Sequence, residues 1–189
     1  MVKIIQKENK ILRKSANKVP LLEITSPKIK KVLLDMKTAL VSEPDGVAIA
    51  APQIGLSLRI FVVAGKVFSL AKKRSQELSP VSHSVDNSVD KKLKPFGDMA
   101  FINPELVKIS KDKGWMEEGC LSVRHFYGRV ERAKKVRVRA YDEKGKVFEL
   151  GGSGLLAQIF QHEIDHLNGT LFIDKAKDVV ELDPDDYEK

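Results

Sequence analysis

His162 and His166 stand four residues apart, with Glu163 directly after the first, in the run Gln161-His162-Glu163-Ile164-Asp165-His166-Leu167-Asn168-Gly169. On a helix that spacing projects both imidazoles from one face, with β-carbons about 5–6 Å apart, so that both can reach one ion. Glu163 then stands beside the ion without having to be a ligand. The chemistry of His-Glu-x-x-His is metal-assisted hydrolysis, in which the ion acidifies a water and the glutamate takes its proton. The same two histidines could be half-exposed polar residues of an amphipathic helix, and two do not complete a site. A catalytic metal usually takes three protein ligands and keeps one position open.

Three routes lead to a third ligand. In the longer pattern with a third histidine, Gly169 matches the glycine, but Phe172 occupies the ligand position. A downstream glutamate would have to be Glu181 or Glu188, too near the end of the chain for a second packed helix. The upstream route offers Cys120, the only cysteine, preceded by Gly119. A thiolate beside two imidazoles suits a borderline-soft divalent metal.

The elements that must position these groups read as follows. An irregular arm covers Ile4 to Val19. Ser26 caps a helix with Pro27 in its first turn, and Ile29, Val32, Leu33, Met36 and Leu40 form its apolar stripe. Gly46 to Gly55 is a loop of small residues closed by one amide, Gln53, and small side chains let a backbone run close to a ligand. Leu58 to Val63 reads as a strand, Met99 to Ile109 as two short strands around Asn103-Pro104, and Val136 to Tyr141 as a half-buried strand turning into Val147 to Leu150. Ser153 is expected to cap the helix Gly154 to Asn168, with Gly169 as its stop, and Leu171 to Ile173 is a short apolar return.

Between these, residues 65–97 are rich in Lys, Ser and Asp and read as a largely disordered surface insertion, with a short helix near Val67 to Gln76 and a solvated His83. The acidic tail, 176–189, reads as weakly ordered. A chain of 189 residues suits one domain, here 1–175. The net charge of +7 admits an anionic partner, but no nucleic-acid motif with interleaved aromatics accompanies it. No run approaches a membrane span, the first residues lack the features of a secretory signal, and one cysteine excludes an intramolecular disulfide. A cytoplasmic, reducing location is the expectation.

Gly46 to Gln53, Glu118 to Ser122 and Gln161 to Gly169 together resemble the three motifs of peptide deformylases, in the family's order and with compatible spacing. Ile11-Leu12-Arg13-Lys14, Phe101-Ile102-Asn103-Pro104 and Arg132 through Gly145 extend the resemblance over nearly the whole chain outside the insertion. The resemblance implies an α+β fold of small antiparallel or mixed sheets around a central helix carrying the two histidines. It implies removal of the formyl group from the N-terminal methionine of nascent chains. Cys120, His162 and His166 would bind one divalent metal, ferrous iron natively, with zinc, nickel or cobalt able to occupy the same ligands. Glu163 would move the proton, and the Gln53 amide with the Leu121 N–H would hold the oxyanion.

By the same resemblance Glu118 and Arg132 form a supporting ion pair, and Asp165 is a carboxylate behind the ligands or on the surface. The peptide would lie extended against Gly46, Val47, Ala48 and Gly119, its methionine side chain among Val47, Met116, Leu155, Gln158 and Ile159. The partners implied are formyl-methionyl nascent peptides and a transient ribosome contact, with the protein a monomer that uses no membrane. The chain departs from the family pattern at Ala48, where a second glycine is usual, and at Arg124, where a proline is usual, leaving the loop after Cys120 less fixed. The docking helix of some members is replaced by the short acidic tail. Competing readings are a general metallopeptidase and a catalytically weak or inactive metal-binding paralogue.

Overall fold

A computed structural model describes residues 2–69 and 97–182. Its strands, in chain order, are β1 (Ala48–Ala50), β2 (Ile60–Val63), β3 (Met99–Ile109), β4 (Lys113–Cys120), β5 (Val123–Ala133), β6 (Lys135–Tyr141), β7 (Val147–Ser153) and β8 (Lys177–Glu181). The named α-helices are α1 (Pro27–Val41) and α2 (Leu155–Leu167). Five strands form an antiparallel sheet in the order β1-β2-β3-β6-β7, and three form a second, β4-β5-β8. The α+β architecture agrees with the sequence expectation.

The larger sheet is covered on both faces, which is why β2 is a continuous apolar run. Ile60 and Val62 pack with Ile49, Ile102 and the α1 stripe. Phe61 and Val63 point the other way, into a cluster with Phe101, Val138 and Phe160 of α2. Successive side chains of a strand point to opposite faces, so one short strand separates two cores. The helix carrying the histidines is thereby set on a rigid floor. At its end Gly169 has φ +75°, and a β-carbon there would stand 2.8 Å from the Arg13 carbonyl carbon. Glycine is what lets the N-terminal arm pass over the helix end.

Helix α1 begins as read, with the Ser26 hydroxyl accepting from the Ile29 N–H at 3.3 Å. Other expectations need correction. Ala48–Ala50 is a strand paired with β2, not loop. Residues 99–109 form one strand with a register shift between Ile102 and Glu105. The kink is fixed by Asn103, at φ +51°, whose amide accepts from the Val19 N–H and donates to the Val19 carbonyl, each at 2.8 Å. Ser153 does not cap α2, because its backbone is committed to the ladder opposite Lys135. Gly154, at φ +55°, takes that position without a side-chain cap.

The tail is also more ordered than its composition suggests. Lys177–Glu181 pairs with β5, covering an edge that would otherwise present unpaired backbone groups. This strand lies beyond the expected domain limit at residue 175. Of the insertion, residues 65–69 are helical, and Val67 and Phe68 are buried in the α2-side core. The Gly65 N–H donates to Asp98 Oδ1 at 2.9 Å, tying the insertion's two ends. The remainder of the helix read near Val67 to Gln76, and His83, lie outside the described residues. No helix among the described residues is long and apolar enough to cross a membrane.

Candidate active site

Helix α2 buries Leu156, Ala157, Ile159, Phe160, Ile164 and Leu167 against the sheet, and this fixes the side that bears His162, Glu163 and His166. The two imidazole centroids are 4.9 Å apart. Cys120, the last residue of β4, brings its Sγ to 3.2 Å from His166 Nε2. Ligand atoms of Cys120, His162 and His166 all lie within 4.8 Å of one another, a group that could hold a metal ion. A thiolate and two imidazoles fit a borderline-soft divalent cation. Burial pushes His166 well below its usual pKa, keeping it in the neutral form that ligates. The Ser122 N–H points at the Cys120 sulfur from 3.4 Å.

A buried ion-pair chain stands behind His162. Its Nδ1 is 3.0 Å from Glu118 Oε2, and Arg132 grips both oxygens of Glu118, at 2.7 and 2.9 Å. Arg132 Nη1 reaches Asp165 at 2.5 Å, and Lys175 reaches the other Asp165 oxygen at 2.6 Å. Asp165 thus lies behind Arg132, between it and Lys175. Burial would raise the Glu118 pKa, but the bonds from Arg132 and His162 outweigh it and hold the group at about 2. Glu163 has no such partners. Burial, aided by the charge of Glu118 and opposed by His162, lifts it to about 7. Its Oε2 has no hydrogen-bond partner among the described residues.

Gln53 is buried on the short 3-10 turn Ala51–Ile54. Its Oε1 accepts from the Ala50 N–H at 2.8 Å, so its Nε2 faces Ser122 Oγ at 3.2 Å and the Cys120 sulfur at 3.6 Å. One end of the amide is fixed and the donor end is aimed at the metal group.

A cleft of about 340 Å³ opens over this centre. Gly46, Val47, Ala48 and Gln53 line one wall, Glu118, Gly119, Cys120 and Leu121 another, and Leu155, Gln158, Ile159, His162 and Glu163 of α2 the floor. The structure therefore brings together the sequence-derived site residues with three qualifications. His166 sits behind Cys120 and is not part of the lining. Arg132 lies deeper still, behind Glu118. Met116 is absent from the cleft, because it lies farther back along β4, opposite Val130.

Gln158, polar for an apolar pocket, spends its amide on the Glu117 carbonyl at 2.6 Å and so fastens α2 to β4. A β-carbon at Gly119 would lie 2.7 Å from the Tyr127 ring, so a larger residue there would have to displace that side chain.

Sequence reasoning missed the opposite rim. Residues 124–126 bulge out between the pairs Gly119–Tyr127 and Cys120–Val123, with His125 at φ +69°, and Arg124, His125, Phe126 and Tyr127 join the lining. It also missed Ser122, whose place inside the cysteine motif was the available signal, and Gln6, whose amide donates to the Leu121 carbonyl at 3.1 Å. The expectation that Arg124 leaves this loop less fixed is overturned, because Arg124 is ion-paired to both Glu43 and Asp45.

A family model described as polypeptide deformylase matches residues 1–181. The chain is similar to peptide deformylase 1A, chloroplastic, of Solanum lycopersicum, 37% identical over 177 residues that cover 93% of this chain and 59% of that protein. It spans about three fifths of the length of the first curated relatives it matches. Among solved structures it is similar to a peptide deformylase from Legionella pneumophila, with TM-score 0.72 and 36% identity over 94% of this chain and 87% of that one. It is also similar to a class I type b peptide deformylase from Acinetobacter baumannii bound to Met-Ala-Ser, with TM-score 0.73 and 30% identity over 93% and 98% of the two chains.

Proposed function

The chain belongs to the polypeptide deformylase family, and from that premise we propose that it hydrolyses the N-formyl group of formyl-methionyl nascent peptides, releasing formate and a free N-terminus. The observation that carries this is the meeting of Cys120, His162 and His166 within 4.8 Å of one another, beside the buried carboxylate of Glu163. The family is metal-dependent, and Cys120, His162 and His166 would hold a divalent ion, which would supply Lewis acidity for the hydrolysis. Ferrous iron is the reading for the native ion, with zinc, nickel or cobalt as replacements on the same ligands.

The chain's own residues do the remaining work. Glu163 takes a proton from the attacking water as its oxygen bonds to the formyl carbon. It returns that proton to the methionine nitrogen as the carbon–nitrogen bond breaks. The Gln53 Nε2–H and the Leu121 N–H donate to the formyl oxygen as it gains charge, and the Ala50 bond spares Gln53 any reorientation. The Glu118–Arg132 pair holds His162 in one tautomer and orientation.

The substrate backbone adds as an extended strand along Gly46, Val47 and Ala48 on one side and Gly119 on the other. Leu155, Gln158, Ile159 and Val47 receive the methionine side chain. A monomeric protein in the cytoplasm, meeting chains as they leave the ribosome, goes with this reading.

The test is formate release from a formyl-methionyl peptide by anaerobically prepared, iron-loaded protein, with metal content measured on the same sample. About one ion per chain and turnover of formyl but not acetyl peptides is expected. Folded, metallated protein that releases no formate overturns the proposal, and cleavage of internal bonds in acetyl peptides indicates a general metallopeptidase.

A further inference from the structure

Arg124 stands at the mouth of the cleft, on the bulge that follows the cysteine loop. Its Nη1 is 2.9 Å from Asp45 Oδ2, and its Nη2 contacts Glu43 Oε2. Both carboxylates belong to the tight turn between α1 and β1, which is closed by the Gly46 N–H donating to the Glu43 carbonyl at 2.9 Å. The turn packs closely on the end of α1, since a β-carbon at Gly46 would lie 2.9 Å from Leu40 Cδ1. The Arg124 end is anchored as well. Its backbone N–H faces Gln6 Oε1 at 3.5 Å, and the same Gln6 amide donates to the Leu121 carbonyl. The neighbouring arm residue ties the other wall, the Ile5 N–H donating to the Gln53 carbonyl at 2.9 Å.

The two ends of this ion pair are the two walls of the cleft. Asp45 leads directly into Gly46, Val47 and Ala48, and Arg124 follows Cys120, Leu121 and Val123, all of them lining residues. Isolated surface ion pairs are worth little, since two mobile side chains must be ordered in high dielectric. Here one planar fork meets two carboxylates of a single hydrogen-bonded turn, and the Arg124 and Glu43 side chains are only 32% and 28% exposed, with Asp45 more open at 60%. Arginine is suited to such a double contact, which a lysine ammonium cannot reproduce in the same geometry.

We propose that Arg124 is a positioning residue that clamps the turn at Glu43–Asp45 to the cysteine loop and so sets the width of the peptide-binding cleft. It touches neither the metal ligands nor the reacting atoms. It acts by holding the two backbones between which an extended peptide is added, and its effect falls on binding more than on the chemical step. The role in binding rests on the deformylase reading, whereas the clamp itself does not.

The test compares wild type, Arg124→Ala, Arg124→Lys and the charge exchange Arg124→Glu with Glu43→Arg. The substrate is formyl-Met-Ala-Ser amide, which carries no charge that Arg124 could contact directly. Arg124→Ala should raise KM about fivefold, the scale of a modest ion-pair network, with kcat within about twofold of wild type. Arg124→Lys should fall between, and the charge exchange should recover most of the loss. Raising ionic strength from about 0.02 M to about 0.5 M should raise KM in wild type and leave Arg124→Ala nearly unmoved, since screening acts on the pair.

Hydrogen exchange on the same proteins gives a readout independent of turnover. The amides of residues 46–48 and 121–123 should exchange about tenfold faster in Arg124→Ala, and faster together, because one tie holds both segments. An active wild type whose KM is unchanged by Arg124→Ala, or a fall in kcat alone, overturns the assignment. Unchanged exchange in both segments does so whatever the activity. An inactive wild type with coupled exchange would leave the clamp standing and remove the deformylase reading instead.

Discussion

Glu118 Oε2 lies 3.0 Å from His162 Nδ1, with Glu118 buried and His162 half-buried where both line the cleft. This bond fixes which imidazole nitrogen faces Cys120. It also sets the two glutamates of the centre in different electrostatic surroundings. Glu118, gripped by Arg132, is held at about 2 and stays ionised, whereas burial lifts Glu163 to about 7 against the opposing charge of His162. Two carboxyl groups whose surroundings push their pKa values apart are the usual basis for dividing fixed charge from proton transfer.

Replacing Glu163 with Gln keeps the volume and removes the base. Formate release should fall by about 10²–10⁴-fold, the range of a lost general base. Bound metal should stay near one per chain, because Glu163 is not among the three grouped ligands. Metal analysis beside the rate assay checks both halves, and a variant that keeps wild-type turnover would remove Glu163 from the mechanism.

Glu118→Ala should do the reverse, acting on binding of the ion and on the fold. Removing a partner that supports a ligating histidine typically lowers metal affinity about 10–100-fold. It also leaves Arg132, 5% exposed, with Asp165 as its remaining partner, and an under-compensated buried charge costs on the order of 3 kcal/mol. Denaturant unfolding of the metal-free proteins measures the second effect and competition with a chelator the first. Equal stability of the two proteins would show that Arg132 finds compensation elsewhere.

The parts of this centre that the sequence made legible are those whose information is local. The histidine spacing, the Ser26-Pro27 helix start and the alternation of Val136, Val138 and Ala140 each lie within a few turns of chain, and each is present. Cys120 and Gln53 were reachable because short motifs carry them. Gln6 and Arg124 were not, since their partners stand 115 and about 80 residues away and meet only once the bulge at 124–126 has formed. The strand Lys177–Glu181 has no alternation to betray it and is ordered by the β5 edge beside it. Met116 was misplaced because a motif gives order along a strand but not how far the cleft extends along it.

The two displaced carboxyl groups make opposite contributions to stability in metal-free protein. Glu118 has a folded pKa below its unfolded value of 4.5, so its stabilisation is fully present above about pH 4.5 and is lost as pH falls toward about 2. Glu163 has a folded pKa above 4.5, so the unfolded chain ionises first and stability declines as pH rises from about 4.5 to about 7. Glu163→Gln should therefore stabilise metal-free protein at pH 8 by ~1–3 kcal/mol relative to wild type, with the difference vanishing below about pH 4.5. Urea unfolding across that range would decide it, and a difference independent of pH would show that the effect is not ionisation of Glu163.

Gln53 offers the sharpest separation of binding from chemistry. Its Nε2 is aimed by the Ala50 bond, and the residue stands in the cleft wall beside Cys120. Loss of one oxyanion donor typically costs about 10²–10³ in rate, so Gln53→Leu should lower kcat by that order and leave KM within about threefold. Ser122→Ala removes the neighbour of that amide at 3.2 Å but no donor to the substrate, and should cost less than about tenfold. Because Gln53 also accepts from a buried backbone N–H, a melting curve must accompany the kinetics. If Gln53→Leu remains folded, binds metal and raises KM without lowering kcat, the amide orients the peptide and the oxyanion is held by other donors.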